Sequence, residues 1–332
     1  MYLVSVLVPV YKVENYIQRC ARCLFSQTYD NLEFIFVDDC TPDKSIVKLK
    51  EVVEEYPQIE SRIRIIKHDK NSGLSCARNT AIASAQGEFL FFVDSDDYVE
   101  KDAIQLLVKK QHETGADIVS GNAYRHFHDK TIELREPAYK TKEDMVCGLI
   151  QATYDHVIWR RIIRRTLFTD NNIRMKEGVN QGEDWQVMPR LAYFANKFAT
   201  IDSFIYHYDC TNENSYMQLQ RNQFNSNLCE QNRASMNIVK SFFKDKGAPY
   251  EEAVGIMEAK FCSGYLYQCS RFDEKDYYNQ FLSELQALPS IYYKHIGWNK
   301  PLKRFLNRHY SLMRLRIVLL KLKRRIRSIN PF

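Results

Sequence analysis

Three observations predict an α/β fold built on a mostly parallel sheet with helices on both faces. Over the first ~120 residues, apolar runs of strand length alternate with segments of helical period. The runs LVSVLVPV (3–10), LEFIFV (32–37) and EFLFFV (88–93) carry too few polar residues for a half-exposed strand, the pattern of strands covered on both sides, and RIRIIKH (62–68) reads as a further strand between them. Acids gather just beyond two of these runs, at Asp38-Asp39 and at Asp94-Ser95-Asp96-Asp97.

Each element follows in order. Residues 14–29 place Ile17, Cys20, Ala21, Leu24 and Phe25 on one face, which makes a helix after the first strand. Residues 41–56 open with Thr41-Pro42, an N-cap followed by an N1 proline, and continue as an amphipathic helix. Residues 72–87 form a third helix, entered through Asn71-Ser72-Gly73 and ended by Gly87. Residues 101–115 form a fourth, closed by Gly115, and DIVSG (117–121) is a fifth strand. Right-handed crossovers then carry Pro9-Val10-Tyr11, Asp38-Asp39 and the Asp94–Asp97 loop to one edge of the sheet, where ligands of such folds bind. Beyond it, residues 203–208 read as strand and residues 218–290 as mainly helical.

Composition excludes several classes. Hydrophobic residues make up 45% and charged residues 27% of 332, which is globular and not disordered. No run of ~20 uncharged apolar residues is present, and the N-terminal run reads as a strand, so a cytoplasmic protein is expected. The nine cysteines are scattered and odd in number, and Cys20-x-x-Cys23 lies within a helical pattern, so free thiols are expected before a zinc or redox pair. The net charge of +6 is uneven: from residue 285 onward there are twelve Lys or Arg and no acid, leaving −6 on the body.

The acids at the strand ends have two readings each. Asp94 and Asp96, spaced D-x-D after a strand, can offer oxygens to Mg²⁺ or Mn²⁺ that substrate phosphates complete. The alternative is a solvated loop whose acids cap the next helix. Of Asp38 and Asp39, one can cap the helix at 41 while the other meets a ligand hydroxyl or N–H. The stretch NSGLSCARN offers a helix N-terminus for an anion, with Arg78 in its first turns. Glu183-Asp184, after Gly182, opens an apolar helix and is either a helix-start acid pair or part of a site. Neither GxGxxG nor GxxxxGK[ST] occurs.

Taken as an ordered set, VSVLVPVYKVENY, FIFVDDCTPD, NSGLSCARNTAI and GEFLFFVDSDDYV resemble the N-terminal half of family 2 glycosyltransferases, over residues 3–121 and more weakly to 216. The resemblance implies the GT-A fold, a Rossmann-like sheet flanked by helices, here with a helical C-terminal extension. It implies a domain over 1–216, with a nucleotide-sugar half (1–121) and an acceptor half (122–216), followed by a helical region over 217–332. It places Pro9, Tyr11 and Glu14 around the nucleotide base, Asp38 or Asp39 on base or ribose, and Asn71, Gly73 and Arg78 along the nucleotide-sugar pocket. Asp94, Ser95 and Asp96 match the DxD segment, with Asp96 and Asp94 as ligands of Mn²⁺ or Mg²⁺. Asp184 of the ED pair matches the general base. VIWRRIIRRTLF (157–168) resembles a helix of the family with Arg161 where lysine is usual, and His207 lies on a strand near the site, as a structural histidine or a neighbour of the diphosphate.

The implied activity is inverting transfer of a hexosyl or N-acetylhexosaminyl unit from a UDP-type sugar to a glycan or lipid-linked acceptor, as in capsule or lipopolysaccharide synthesis. Without a Q-x-x-R-W motif, a single transfer is expected. A non-catalytic nucleotide-sugar binder is the alternative, although both acid motifs are kept. Nucleotidyl transfer would need a Gly-rich basic loop where PVYKVENY stands. Nucleic acid is not an expected partner, since strand-end acids repel phosphate. Leu302, Phe305, Tyr310, Met313 and Leu319 interleave with Lys and Arg over 298–328, as in helices on anionic membranes, which fits a peripheral place on the inner face of the plasma membrane. The same stretch could instead pack on the body or form a homodimer seam.

Overall fold

The structure, a computed structural model, describes residues 1–212 and 224–296. The basic stretch 298–328 therefore lies outside the described residues. The N-terminal elements are β1 (Val4–Val10), α1 (Ile17–Phe25), β2 (Leu32–Asp38), α2 (Ser45–Glu54), β3 (Ile63–Lys67), α3 (Leu74–Ser84), β4 (Phe89–Phe92), β5 (Tyr98–Val99) and α4 (Ala103–Thr114). They continue through β6 (Ile118–His126), β7 (Thr131–Leu134), α5 (Lys142–Ile150), β8 (Arg161–Arg164), α6 (Thr166–Thr169), α7 (Glu183–Phe194) and β9 (Phe198–Asp209). Three further helices, α8 (Ser226–Phe243), α9 (Ala248–Phe272) and α10 (Lys275–Ala287), form the C-terminal region.

The sheet runs β3-β2-β1-β4-β8-β6-β9-β5, with β7 beside β6. The first four strands are parallel, in register Val4↔Leu32 between β1 and β2 and Val4↔Phe89 between β1 and β4. Side chains alternate between the faces of a strand. Val4, Val6, Val8, Phe34, Phe36, Phe89 and Phe91 pack beneath α1, α2 and α4. Leu7, Ile35, Val37, Leu90 and Phe92 pack beneath α3 and α7. The doubly covered sheet expected from the apolar runs is present.

Strand β8 enters between β4 and β6, antiparallel to both, and three expectations are corrected. The segment 157–168 is therefore not a helix: Ile162 and Ile163 are buried in strand β8, and only Thr166–Thr169 turns helical. Arginines at both ends disguised a strand whose charges are matched by tertiary partners, Arg161 by Glu136 and Arg164 by Asp117 and Glu88. Thr41 does not cap α2; Asp43 accepts from Ser45 N and Oγ just ahead of that helix. Finally, α3 ends at Ser84, while Gly87 lies beyond it where a Cβ would fall 2.6 Å from Ser5 Oγ and 2.8 Å from Leu3 O.

The C-terminal helices close a second core. Met145, Leu149 and Ile150 of α5 and Trp185 and Ala192 of α7 pack with Met236, Val239 and Phe243 of α8, Met257, Phe261 and Leu266 of α9, and Phe281 and Leu285 of α10. All nine cysteines are free. Among the described residues, no helix is long and apolar enough to cross a membrane.

Candidate active site

The carboxyl ends of β1, β2 and β4 converge on one edge, and the loop 94–97 follows β4 there. Arg78 is the hub. It projects from α3 with 2% of its side chain exposed and pairs through Nη2 with Asp94 Oδ1 at 2.7 Å. Nη1 reaches Glu183 Oε1 at 2.8 Å and Asp184 Oδ1 at 2.5 Å. Three carboxylates from the β4 loop and the start of α7 thus share one guanidinium, whose Nε has no partner among the described residues. Asp184 is held from its other side by Ile158 N at 3.1 Å. Burial pushes Glu183 up to about 8, helped by Asp184, and burial likewise raises Asp184.

The loop 94–97 is fixed from behind by β9. Asp94 N donates to Tyr206 Oη, which donates to Asp97 Oδ2 at 2.8 Å, and Asp209 N donates to Asp97 Oδ1 at 2.8 Å. Asp97 is fully buried and is a positioning residue of this loop. Arg19 donates to the Asp96 carbonyl and to Asp209 Oδ2, each at 2.7 Å. Asp96 Oδ2 accepts from Asn212 Nδ2 at 2.9 Å, and burial with the nearby Asp94 pushes its carboxyl up to about 6. Ser95 is buried within the same loop.

The other predicted residues divide. Pro9 is buried next to the last residue of β1, Tyr11 is 38% exposed just beyond the strand, and Asn71 is exposed. Glu14 Oε2 accepts from Lys44 N at 3.0 Å and lines a cleft of about 510 Å³ with Lys12, Tyr16, Asp43 and Asn212. Asp38 Oδ1 accepts from Thr41 N, so it caps the turn after β2. Asp39 turns inward: Oδ1 accepts from Ser72 N, Oδ2 from Gly73 N, and His68 Nδ1 lies 2.8 Å from Oδ1.

Two expectations change here. The N–H groups of Ser72 and Gly73 are taken by Asp39, and Ser75 N donates to Asn180 Oδ1, so the start of α3 is largely satisfied within the protein and is not an open anion site. Arg78, on the same helix, is buried among carboxylates instead of lining an open pocket. His207 is structural: it sits 2.9 Å from His126 Nε2 and 2.8 Å from Glu100 Oε1, and it stacks on Tyr98. Sequence reasoning missed Asn180, Tyr206, Arg19 and Asn212, whose partners lie 77 to 116 residues away.

Asp94 and Asp96 fit a divalent ion. Each carboxylate gives one oxygen to a protein partner and keeps the other, and burial, with Asp94 nearby, holds the Asp96 carboxyl up. No group of three His, Cys, Asp or Glu among the described residues could hold a metal by itself. Substrate oxygens would have to complete such a site, as Mg²⁺ sites on phosphates do.

Comparisons with known proteins agree with this geometry. The model of "Glycosyl transferase family 2" matches residues 5–188. The chain is 37% identical over 189 residues to "Uncharacterized glycosyltransferase EpsJ" of Bacillus subtilis, a match covering 55% of this chain and 54% of that protein. The chain thus spans about half the length of this relative. Among solved structures, S. aureus TarS 1–349 in complex with UDP-GlcNAc superposes with a TM-score of 0.66 at 21% identity, covering 87% of this chain and 82% of that one. Mannosyltransferase PcManGT from Pyrobaculum calidifontis, in complex with GDP-Man and Mn²⁺, gives 0.55 at 15% identity, covering 97% and 87%. The fold is therefore GT-A. The family model covers more than half of the 332 residues, and the chain belongs to glycosyl transferase family 2.

Proposed function

We propose that this chain transfers one sugar from a UDP-type nucleotide sugar to a hydroxyl of a glycan or lipid-linked acceptor, with inversion at the anomeric carbon. The observation that carries this reading is the Arg78 hub, which joins the Asp94 loop to Glu183-Asp184 at the carboxyl edge of the sheet. The UDP-GlcNAc bound by TarS supports the donor class, and the Mn²⁺ in the mannosyltransferase supports a divalent ion.

Pro9, Tyr11, Glu14 and Asp38 frame the nucleotide in this reading, and Asp39 acts through the Asn71–Gly73 loop that it anchors. Asp96 and Asp94 would hold Mn²⁺ or Mg²⁺, which when bound supplies positive charge against the leaving diphosphate. Asp184 accepts the acceptor hydroxyl proton while that oxygen bonds to the anomeric carbon and the bond to the diphosphate oxygen breaks. Arg78 and Ile158 N hold the Asp184 carboxylate in one orientation. Burial raises the Glu183 carboxyl above the usual carboxylate range, and Glu183, Asp94 and Asp184 share the Arg78 guanidinium.

The test is release of UDP from a panel of UDP-sugars in the presence of Mn²⁺, with and without acceptor. Asp184→Asn is expected to lower transfer by about 10²-fold or more while UDP affinity holds. Wild-type rates in that variant would remove Asp184 as base, and UDP binding without any release would favour the non-catalytic binder. The stretch 298–328 would meet the anionic surface that carries a lipid-linked acceptor. Deleting 298–332 should then abolish binding to anionic liposomes, and retained binding refutes the membrane role.

A further inference from the structure

The C-terminal helices hold a second cavity, of about 270 Å³, between α8 and α9. Among the described residues, its lining combines aromatic rings (Phe224, Phe261, Tyr265) with amides (Asn225, Asn232, Gln268) and Lys260, whose ammonium donates to Gln151 O at 3.0 Å, and holds no carboxylate. This is the chemistry that recognises a sugar ring: flat apolar faces for its C–H bonds and amides for its hydroxyls. The volume falls just below the roughly 300–1,000 Å³ of small-ligand sites, which suits one sugar unit and not a chain.

One set of contacts ties this cavity to the reaction edge. Asn232 donates to Tyr265 Oη at 3.0 Å and also abuts Gly182, where a Cβ would lie 3.4 Å from Asn232 Oδ1. Gly182 immediately precedes Glu183-Asp184, so the cavity wall and the start of α7 share one side chain. Next along α8, Ser235 Oγ donates to Gln181 O and accepts from Gln186 Nε2, while Gln231 Oε1 accepts from Asn180 N. Gly264 of α9 lines the cavity at an exposed position, and a Cβ there meets nothing within 4 Å, so a larger side chain can be introduced at its rim.

We infer that the α8–α9 cavity is a subsite for a sugar unit of the acceptor, next to the start of α7 that bears Asp184. The inference rests on the proposed transferase activity for the word acceptor, but its binding chemistry is tested separately. With no carboxylate among the described lining residues, the cavity favours a neutral or anionic sugar over an amino sugar.

The experiment uses the full chain and a panel of methyl glycosides of neutral hexoses, N-acetylhexosamines, uronic acids and a free hexosamine, with saturation-transfer NMR reading their binding. Gly264→Trp should fill the cavity from a position where a Cβ meets nothing within 4 Å, and its binding of UDP reports on the donor site. Gln268→Ala removes one amide without filling anything. At least one neutral or anionic glycoside is expected to bind the wild type, to lose at least five-fold in affinity in Gly264→Trp, and to weaken in Gln268→Ala, with UDP affinity unchanged in both. Binding that survives Gly264→Trp, a preference for the hexosamine, or a panel in which none binds overturns the subsite. Failure of UDP-sugar turnover with glycoside binding intact would instead refute the transferase reading alone.

Discussion

Arg78 is the residue on which the candidate site depends, and its energetics follow from its partners. One guanidinium, 2% exposed, is matched to three carboxylates from two elements. Removing one member of a buried ion cluster leaves the others uncompensated, at a cost of about 3–5 kcal/mol. Arg78→Met should therefore lower the midpoint of urea unfolding by that equivalent and abolish transfer. Arg78→Lys should keep part of the stability, because an ammonium cannot fork between Asp94 and Asp184. Asp96 gives a pH prediction. Its folded carboxyl is pushed up to about 6, above the ordinary value near 4, so the native state binds the proton more tightly and loses stability as pH rises from about 4 through 6. A divalent cation offsets that loss. The thermal upshift from Mn²⁺ with UDP should be larger at pH 7.5 than at pH 5. Without metal, Asp96→Asn should stabilise the protein at pH 7.5 by about 2 kcal/mol, and an equal Mn²⁺ response at both pH values would count against Asp96 as a ligand.

At the scale of elements, the start of α3 and the start of α7 are locked together through a single loop. Gly73 has φ +90°, and a Cβ there would fall 2.2 Å from Asn180 Nδ2. Asn180 is held in turn by Ser75 N and by Gln231 of α8. Gly73→Ala is expected to cost roughly 1–3 kcal/mol through the left-handed backbone and the displaced amide. It should also weaken UDP binding, as read by calorimetry. Ser235→Ala removes the hydroxyl that joins Gln181 and Gln186, for about 1 kcal/mol of stability. Its transfer rate should fall with UDP affinity unchanged, since the loss lies at the ED helix and not at the nucleotide edge. Legibility in the sequence also divides at this scale. Strands β1 to β4 announced themselves because each is a local apolar run, whereas β8 was hidden: its arginines look solvent-bound until Glu136, Asp117 and Glu88 are brought to them by the fold.

For the whole molecule, the C-terminal helices are part of the site's support and not an appendage. Trp185 and Ala192 of α7 are buried against α8, α9 and α10, so the helix that begins with Glu183-Asp184 has one face in each of two cores. Ending the chain at residue 212 would expose Met145, Leu149, Ile150 and Trp185 together, an apolar patch of the kind that drives association. That truncation should be recovered mainly in the insoluble fraction, and a monomeric, folded product by size exclusion would show α8–α10 to be dispensable.

Local pattern alone was enough for the alternation of strand and helix, the parallel order of the first strands, the edge where the acids collect, and the family resemblance, because each rests on residues close together in the chain. The assignment of individual acids was beyond it. Asp39 and Asp97 proved to be anchors, His207 a packed partner of His126, and Arg78 a buried hub, since each role depends on a partner 34 or more residues distant. Hydrogen-bond partners and desolvation are properties of the folded neighbourhood, and no local spacing encodes them.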